Sequence, residues 1–202
     1  ADDFRSSDNR AIRWAANEGN VDVLRFLKDE VNLTPDDFKA DNNYAIKVAA
    51  EYGHLDVLKF LKDEVNLTPG DFRAGDAIGE AACEGFLNVL RFLKDDVELN
   101  ADDFRAADNY AIRFAATYGR LDVLKFLKDD VELTPDDFRV DDNYAIRNAA
   151  VWGHVNVLRF LKDEVGLTAD DFRANDYAIR WATEKGHLNI LSFLKDDVGL
   201  TA

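Results

Sequence analysis

The chain of 202 residues carries 40 acidic and 25 basic side chains, a net charge of −15 at pH 7, and 47% of its residues are hydrophobic. This apolar content argues against a disordered chain, and the negative charge argues against nucleic acid or an anionic membrane as a partner. A protein partner with a basic surface is expected instead.

Targeting and redox signals are few. Cys83 is the only cysteine, so no disulfide can form within the chain. No run of eighteen apolar residues offers a membrane span, and no charged-then-apolar leader opens the sequence. These features predict an intracellular, cytoplasmic protein.

The first recurring element is a helix that ends at a glycine. In YAIKVAAEYG (residues 44–53), Ile46, Ala49 and Ala50 form one apolar stripe, and Gly53 stands where a left-handed residue ends a helix. A glycine takes this place in six copies, at Gly19, Gly53, Gly85, Gly119, Gly153 and Gly186. The pattern predicts six short amphipathic helices.

The second element is a helix with a broad apolar face, as in HLDVLKFLKDEV (residues 54–65). Its FLKD(E/D)V block recurs after 34, 32, 34, 34 and 33 residues. The shorter steps come from deletions in one connection, before Ala77 and before Ala178. Six units of this period predict a solenoid, in which each unit buries its apolar face against its neighbours.

The third element is LTPDDF (residues 133–138) and its variants. Thr134 can cap a helix, Pro135 suits the first helical position, and the carboxylates of Asp136 and Asp137 suit the positive end of the helix dipole. A calcium loop would space its oxygen ligands at alternate positions and close with a distant glutamate, which none of the copies does. We therefore expect short helices that begin at Thr34, Thr68, Asn100, Thr134 and Thr168.

The segment AAEYGHLDVLKFL (residues 49–61) resembles the ankyrin repeat, in which two antiparallel helices meet at a glycine turn written A-A-x-x-G-H-x-x-V-x-x-L-L. Two departures are clear. Y-A-I-R or Y-A-I-K replaces the T-P-L-H opening, and V-x-L-T-P-D-D-F-R replaces the G-A-D-V-N segment of the β-hairpin finger. In this the chain is similar to divergent ankyrin arrays of protists and large viruses. The Trp, Leu-Gly and Tyr pattern of tetratricopeptide repeats, which share this period, is absent.

The predicted fold is therefore an all-α solenoid of six ankyrin-like helix-turn-helix repeats, with a short third helix in place of the hairpin finger. The whole chain, 1–202, is predicted to form one domain. Its repeat units are predicted at 1–33, 34–67, 68–99, 100–133, 134–167 and 168–202.

Comparison of the six copies separates constant from variable positions in the first helix. The positions of Ile46, Ala49 and Ala50 hardly change, whereas positions 48, 51 and 52 change in size and charge. At about 100° per residue the variable positions lie opposite the constant ones, so we expect them to face solvent. The predicted partner-binding residues are Trp14, Asn17, Glu18, Val48, Glu51, Tyr52, Glu80, Glu84, Phe114, Thr117, Tyr118, Asn148, Val151, Trp152, Trp181, Glu184 and Lys185.

Exposed aromatic residues in polar surroundings are typical of protein interfaces, and the ankyrin resemblance implies that the first helices line a concave, partner-binding face. A second interpretation is that the aromatic residues pack against the adjacent repeat. It applies chiefly to the recurring tyrosines, because a contact between repeats favours the same residue in each copy. These tyrosines are Tyr44, Tyr110, Tyr144 and Tyr177.

Residues for catalysis are scarce. His54, His154 and His187 occupy equivalent turn positions in separate repeats, Cys83 has no histidine in its own repeat, and no phosphate loop, zinc spacing or nucleophile elbow occurs. The sequence predicts no enzyme, no cofactor and no metal site. Two alternatives to a partner-binding scaffold stay open: a structural segment of a longer array or an end-to-end stacking subunit, and an engineered, consensus-like binding scaffold.

Overall fold

The computed structural model describes the backbone of residues 2–201 and their side chains, apart from those of residues 2, 3, 6–8 and 175. Throughout the described residues the regular secondary structure is helical, without a strand. The predicted all-α class is confirmed.

Each repeat contributes a first and a second helix, and a short third helix precedes all but the first. The first helices are Asp2–Asn17 (α1), Ala40–Glu51 (α4), Ala77–Glu84 (α7), Ala106–Thr117 (α10), Val140–Val151 (α13) and Tyr177–Lys185 (α16). The second helices are Val21–Asp29 (α2), Leu55–Asp63 (α5), Leu87–Asp95 (α8), Leu121–Asp129 (α11), Val155–Asp163 (α14) and Leu188–Ser192 (α17). The short helices are Pro35–Phe38 (α3), Pro69–Ala74 (α6), Ala101–Phe104 (α9), Pro135–Phe138 (α12) and Ala169–Arg173 (α15). A 3₁₀ turn, Ala174–Asp176, precedes α16, and a π-helical turn, Phe193–Asp197, follows α17.

The helices form two compact units of three repeats each, Ala1–Asn100 (unit 1) and Ala101–Ala202 (unit 2). In unit 1, helix α4 packs between α1 and α7. In unit 2, helix α13 packs between α10 and α16. Short helices add to these contacts, since α3 packs on α1, and α12 packs on α10. Neighbouring repeats within a unit are therefore joined mainly through their first helices.

The constant residues of the sequence form the core. Ile46, Ala49 and Ala50 are fully buried in α4, and Leu58 and Leu61 are fully buried in α5. Small alanine side chains let the first helices approach closely, while the larger residues of the second helices fill the other side of the repeat. The prediction that the constant positions pack is confirmed.

The short third helix begins with a capping box. Thr34 has extended φ and ψ angles, and Asp37 Oδ2 accepts hydrogen bonds from the Thr34 backbone N–H (2.8 Å) and hydroxyl (2.9 Å). Phe38 is buried one residue later, with its ring centroid 5.9 Å from that of Phe60. Of the paired aspartates, Asp36 is solvent-exposed and Asp37 fixes the helix start.

A left-handed turn connects the short helix to the next first helix. Residues Asp41, Asn42 and Asn43 have φ between 55° and 58° and ψ between 35° and 51°, and the same conformation recurs at residues 107–109 and 141–143. Asparagine and aspartate tolerate this region better than other residues with a Cβ. In the two repeats with deletions, only Asp76 and Asp176 have a positive φ at this connection. The deletions therefore shorten this turn and leave the helices intact.

Candidate partner-binding surface

The position at the end of the first helix, either its last residue or the one after it, is the most exposed of the three variable positions. It holds Tyr52, Tyr118 and Trp152, each at least half exposed, and the charged Glu18, Glu84 and Lys185, also exposed. The backbone N–H of Tyr52 still bonds to the carbonyl of Val48 (3.0 Å), so the backbone is held at the helix end while the side chain extends beyond the packed turns. Side chains here can differ without disturbing the core.

Position 48 is exposed in one repeat only. Trp14 is 64% exposed, but Val48 is 1% exposed, so the prediction that Val48 faces solvent and can contact a partner there is wrong. Helix α4 has a first helix on each side, which leaves little of its surface open to solvent. Glu80, Phe114, Asn148 and Trp181 are intermediate in exposure.

Position 51 is also largely enclosed. Thr117 is 9% exposed, and its hydroxyl donates to the Arg113 carbonyl at 2.9 Å, so the prediction that Thr117 faces solvent is wrong as well. Cys83, its equivalent in the third repeat, is buried as well. Asn17, Glu51 and Val151 are half-buried, and Glu184 is exposed.

Three of the recurring tyrosines, Tyr44, Tyr144 and Tyr177, pack between repeats. The guanidinium of Arg13 lies 5.5 Å from the ring centroid of Tyr44 in the following repeat, and Arg113 lies 5.2 Å from Tyr144. The same contact joins Arg147 to the next tyrosine. A cation held on a ring face stabilises the pair, and both side chains are only partly exposed. These tyrosines follow the second interpretation above, as contacts between repeats.

The histidines likewise join neighbouring repeats. His54 Nε2 lies 2.8 Å from the backbone carbonyl oxygen of Asn17, in the preceding repeat. Its ring covers Gly19, where an added Cβ would lie 2.7 Å from His54 Nδ1. Gly19 also has a φ of +71°, so both the close approach and the backbone favour glycine. His154 and His187 make the same hydrogen bond at 2.9 Å.

Ion pairs link the short helices to preceding repeats. Arg5 donates to both carboxylate oxygens of Asp37, at 2.8 and 3.0 Å, and Arg139 bonds Asp171 in the same way. The hydrogen bond from Arg5 lowers the pKa of Asp37 to about 2, because burial, which favours the neutral acid, is outweighed by this bond and those from Thr34. These carboxylates serve capping and packing.

In unit 1 the exposed Trp14 and the partly exposed Tyr44 border a small hollow. It has a volume of about 310 Å³ and is lined by Arg10, Arg13, Trp14, Asn17, Glu18 and Tyr44. The guanidinium of Arg10 lies 5.3 Å from the Trp14 ring centroid. Arg10 was not predicted as a site residue. The sequence could have indicated it, because Arg10 stands in the first repeat at the position of the recurring tyrosine.

In unit 2 the aromatic residues form a continuous row. The rings of Tyr110 and Phe114 stack with centroids 4.1 Å apart, and Tyr118 and Tyr144 each lie 6.3 Å from Phe114. Between Tyr110 and Tyr118, and between Tyr144 and Trp152, the sequence contains one arginine each and no carboxylate. These two stretches of first helix are therefore free of acidic residues, and the nearby carboxylate of Asp141 is paired with Arg113 at 3.1 Å.

Comparison of the chain with models of known protein families and with curated proteins finds no match. Among the described side chains, no group of three or more histidine, cysteine, aspartate or glutamate residues is arranged to hold a metal ion. No helix within residues 2–201 is long and apolar enough to cross a membrane.

Proposed function

We propose that this chain is a non-enzymatic protein-binding scaffold, built as a solenoid of six ankyrin-like repeats. Its partner would dock on the ends of the first helices. One observation carries the proposal: the constant residues are buried in most repeats, whereas the residue at the end of each first helix varies and is exposed. In three of the six repeats this residue is aromatic: Tyr52, Tyr118 and Trp152. Variation confined to an exposed position is typical of recognition rather than of packing.

The chemistry of these residues favours a protein partner. Tyrosine and tryptophan supply large contact areas with few rotatable bonds, and they are enriched among residues that dominate binding energy. Trp152 is 61% exposed. When a partner covers aromatic rings of this size, their apolar surface is removed from water, and this favours binding.

A basic segment on the partner fits the surface of unit 1. The Glu51 carboxylate lies beside the Tyr52 phenol and raises its pKa, with smaller contributions from partial burial and from Glu18. A lysine or arginine placed there would meet a carboxylate and an aromatic face together. The charge of −15 would speed the approach of such a partner at low salt.

The test is a capture experiment with matched variants. The double variant Tyr118→Ser/Trp152→Ser should lose the partner that the immobilised native protein captures from an extract of the cells that make it. Phe114 is left unchanged, because it stacks on Tyr110 and its loss would disturb packing. The control is Phe26→Ser, since Phe26 is as exposed as Tyr118 but lies on a second helix, α2.

Both variants should keep the native circular dichroism and urea midpoint, because each removes exposed side chains. Loss of capture in the double variant alone supports the proposal. Equal capture by the native protein and the double variant, or equal loss in the Phe26→Ser control, would reject a docking surface at the ends of the first helices.

A further inference from the structure

Each repeat has two packing faces. We name the face toward the preceding repeat the upstream face and the face toward the following repeat the downstream face. Between the first two repeats, Arg25 on a downstream face lies 6.0 Å from the ring centroid of Phe60 on an upstream face. Its guanidinium also donates to Glu64 at 2.8 Å. One arginine thus contacts an aromatic ring and a carboxylate of the next repeat.

The same trio recurs in unit 2. Arg159 lies 5.1 Å from the ring centroid of Phe193 and donates to Asp197 at 3.1 Å. The trio consists of an arginine on a downstream face and a phenylalanine and a carboxylate on the next upstream face. Because it appears at two separate interfaces, it indicates which residues of neighbouring repeats face each other.

The upstream face of the first repeat is exposed to solvent. Phe26 is 51% exposed, whereas its equivalent Phe60 is 3% exposed. Phe4 and Val23 are also exposed, although the equivalent residues of the second repeat are buried. Glu30 stands in the place of the carboxylate of the trio, and it too is exposed.

The downstream face of the sixth repeat is open as well. Leu188 is 73% exposed, and Ile179 and Leu191 are half-buried, whereas the equivalent Ile146 and Leu158 are fully buried in the fifth repeat. An open hollow of about 510 Å³ lies here, lined mostly by apolar residues. Its lining consists of Ile179, Leu191, Leu194, Lys195, Leu200 and Thr201.

We propose that the downstream face of the sixth repeat binds the upstream face of the first repeat of a second copy of this chain. The occupant is set by continuity with the interfaces inside each unit, where the same residue types meet with the same pairing. Because the two faces are different surfaces, the contact is heterologous and can continue from copy to copy.

The trio also indicates that this contact is weaker than those within the chain. Phe26 and Glu30 supply the ring and the carboxylate, but Ser192 stands where Arg25 and Arg159 supply the cation. The intermolecular contact therefore lacks one ion pair and one cation–π interaction, and association should be reversible with dilution.

The first experiment is sedimentation equilibrium of the purified chain from about 1 μM to about 1 mM, the range of weak association. The weight-average mass should rise with concentration for the native protein. It should stay at the mass of one chain for Phe26→Glu, which puts a charge on the exposed upstream face without touching the core. Trp152→Ser, which alters the proposed partner-binding surface, should associate like the native protein.

The second experiment restores the missing cation. Ser192→Arg should tighten association about tenfold, since it adds an ion pair and a cation–π contact across the interface. Ser192→Arg combined with Glu30→Lys should lose most of that gain. A mass of one chain at every concentration for both the native protein and Ser192→Arg would overturn the proposal, as would unchanged association of Phe26→Glu.

Discussion

His154 Nε2 lies 2.9 Å from the backbone carbonyl oxygen of Thr117, so a recurring contact between repeats is made to the main chain of a variable position. The same holds for His54 and Asn17, at 2.8 Å. A hydrogen bond to a carbonyl does not depend on the side chain of that residue. This explains how a position next to the interface between repeats can change from asparagine to threonine while the contact stays constant.

Replacing His154 by leucine should lower the free energy of unfolding by about 1 kcal/mol, because a partly buried carbonyl loses its hydrogen-bond donor. The matched control is Thr117→Val, which changes the variable side chain but keeps the carbonyl. It should cost about 0.5 kcal/mol or less, the low end of what one neutral hydrogen bond contributes, because valine already stands at the equivalent position, Val151, whose carbonyl is bonded by His187. Urea denaturation followed by circular dichroism measures both, and equal stability of the two variants would contradict a structural role for the histidine.

The pKa of Asp37, lowered to about 2 by Arg5 and Thr34, predicts a pH-dependent contribution to stability. A carboxyl whose pKa is lower in the folded than in the unfolded chain stabilises the fold above its unfolded pKa, 3.8, and this contribution is lost as the pH falls toward 2. Asp37→Asn should therefore cost about 2 kcal/mol at pH 7 and much less at pH 2.5. Asp36→Asn, the exposed neighbour, should cost little at either pH. A constant cost for Asp37→Asn across this range would contradict the prediction.

Much of the fold could be predicted from the sequence, because the residues that must be buried recur at a fixed period. Ile46, Ala49 and Leu58 are such residues, and the helices that carry them lie where the period places them. The left-handed turn at residues 41–43 was not predicted. Its conformation depends on the tolerance of asparagine and aspartate for positive φ. These residues are polar, so the periodicity of apolar residues does not predict the turn.

The candidate surface was predicted less well, since a helical wheel assumes one packed side and one free side. Helix α4 lies between two other first helices, α1 and α7, and also packs on the second helix α5, so three of its sides are covered. Val48 is buried for this reason, while Tyr52, beyond the last helical residue, stays exposed. Variation among copies points to the first helices and their ends, but only packing distinguishes the exposed variable residues from the enclosed ones.

The left-handed turn at residues 107–109 predicts a stabilising substitution. Ala107 has a φ of 51°, where a Cβ is unfavourable, whereas the equivalent residues Asp41 and Asp141 tolerate that region better. Ala107→Gly should therefore raise the free energy of unfolding by about 0.5 to 1 kcal/mol. Ala106→Gly, one residue earlier and without a positive φ, should lower it by a similar amount. Destabilisation by both variants in urea denaturation would show that the turn at Ala107 is not strained.

Two glycines of the third repeat, Gly70 and Gly75, should respond to alanine in opposite directions. A Cβ at Gly75 would lie 2.9 Å from Cβ and Cγ2 of Ile46 in the preceding repeat, so Gly75→Ala should force these repeats apart and destabilise the chain by about 1 to 3 kcal/mol. A Cβ at Gly70 would meet only Thr68 Oγ1, at 3.5 Å. Gly70→Ala should therefore stabilise by about 0.5 to 1 kcal/mol, since alanine loses less backbone entropy on folding. Urea denaturation measures the stability of both variants. Alanine adopts the φ of −82° at Gly75 without strain, so a loss of stability in Gly75→Ala would come from the contact with Ile46.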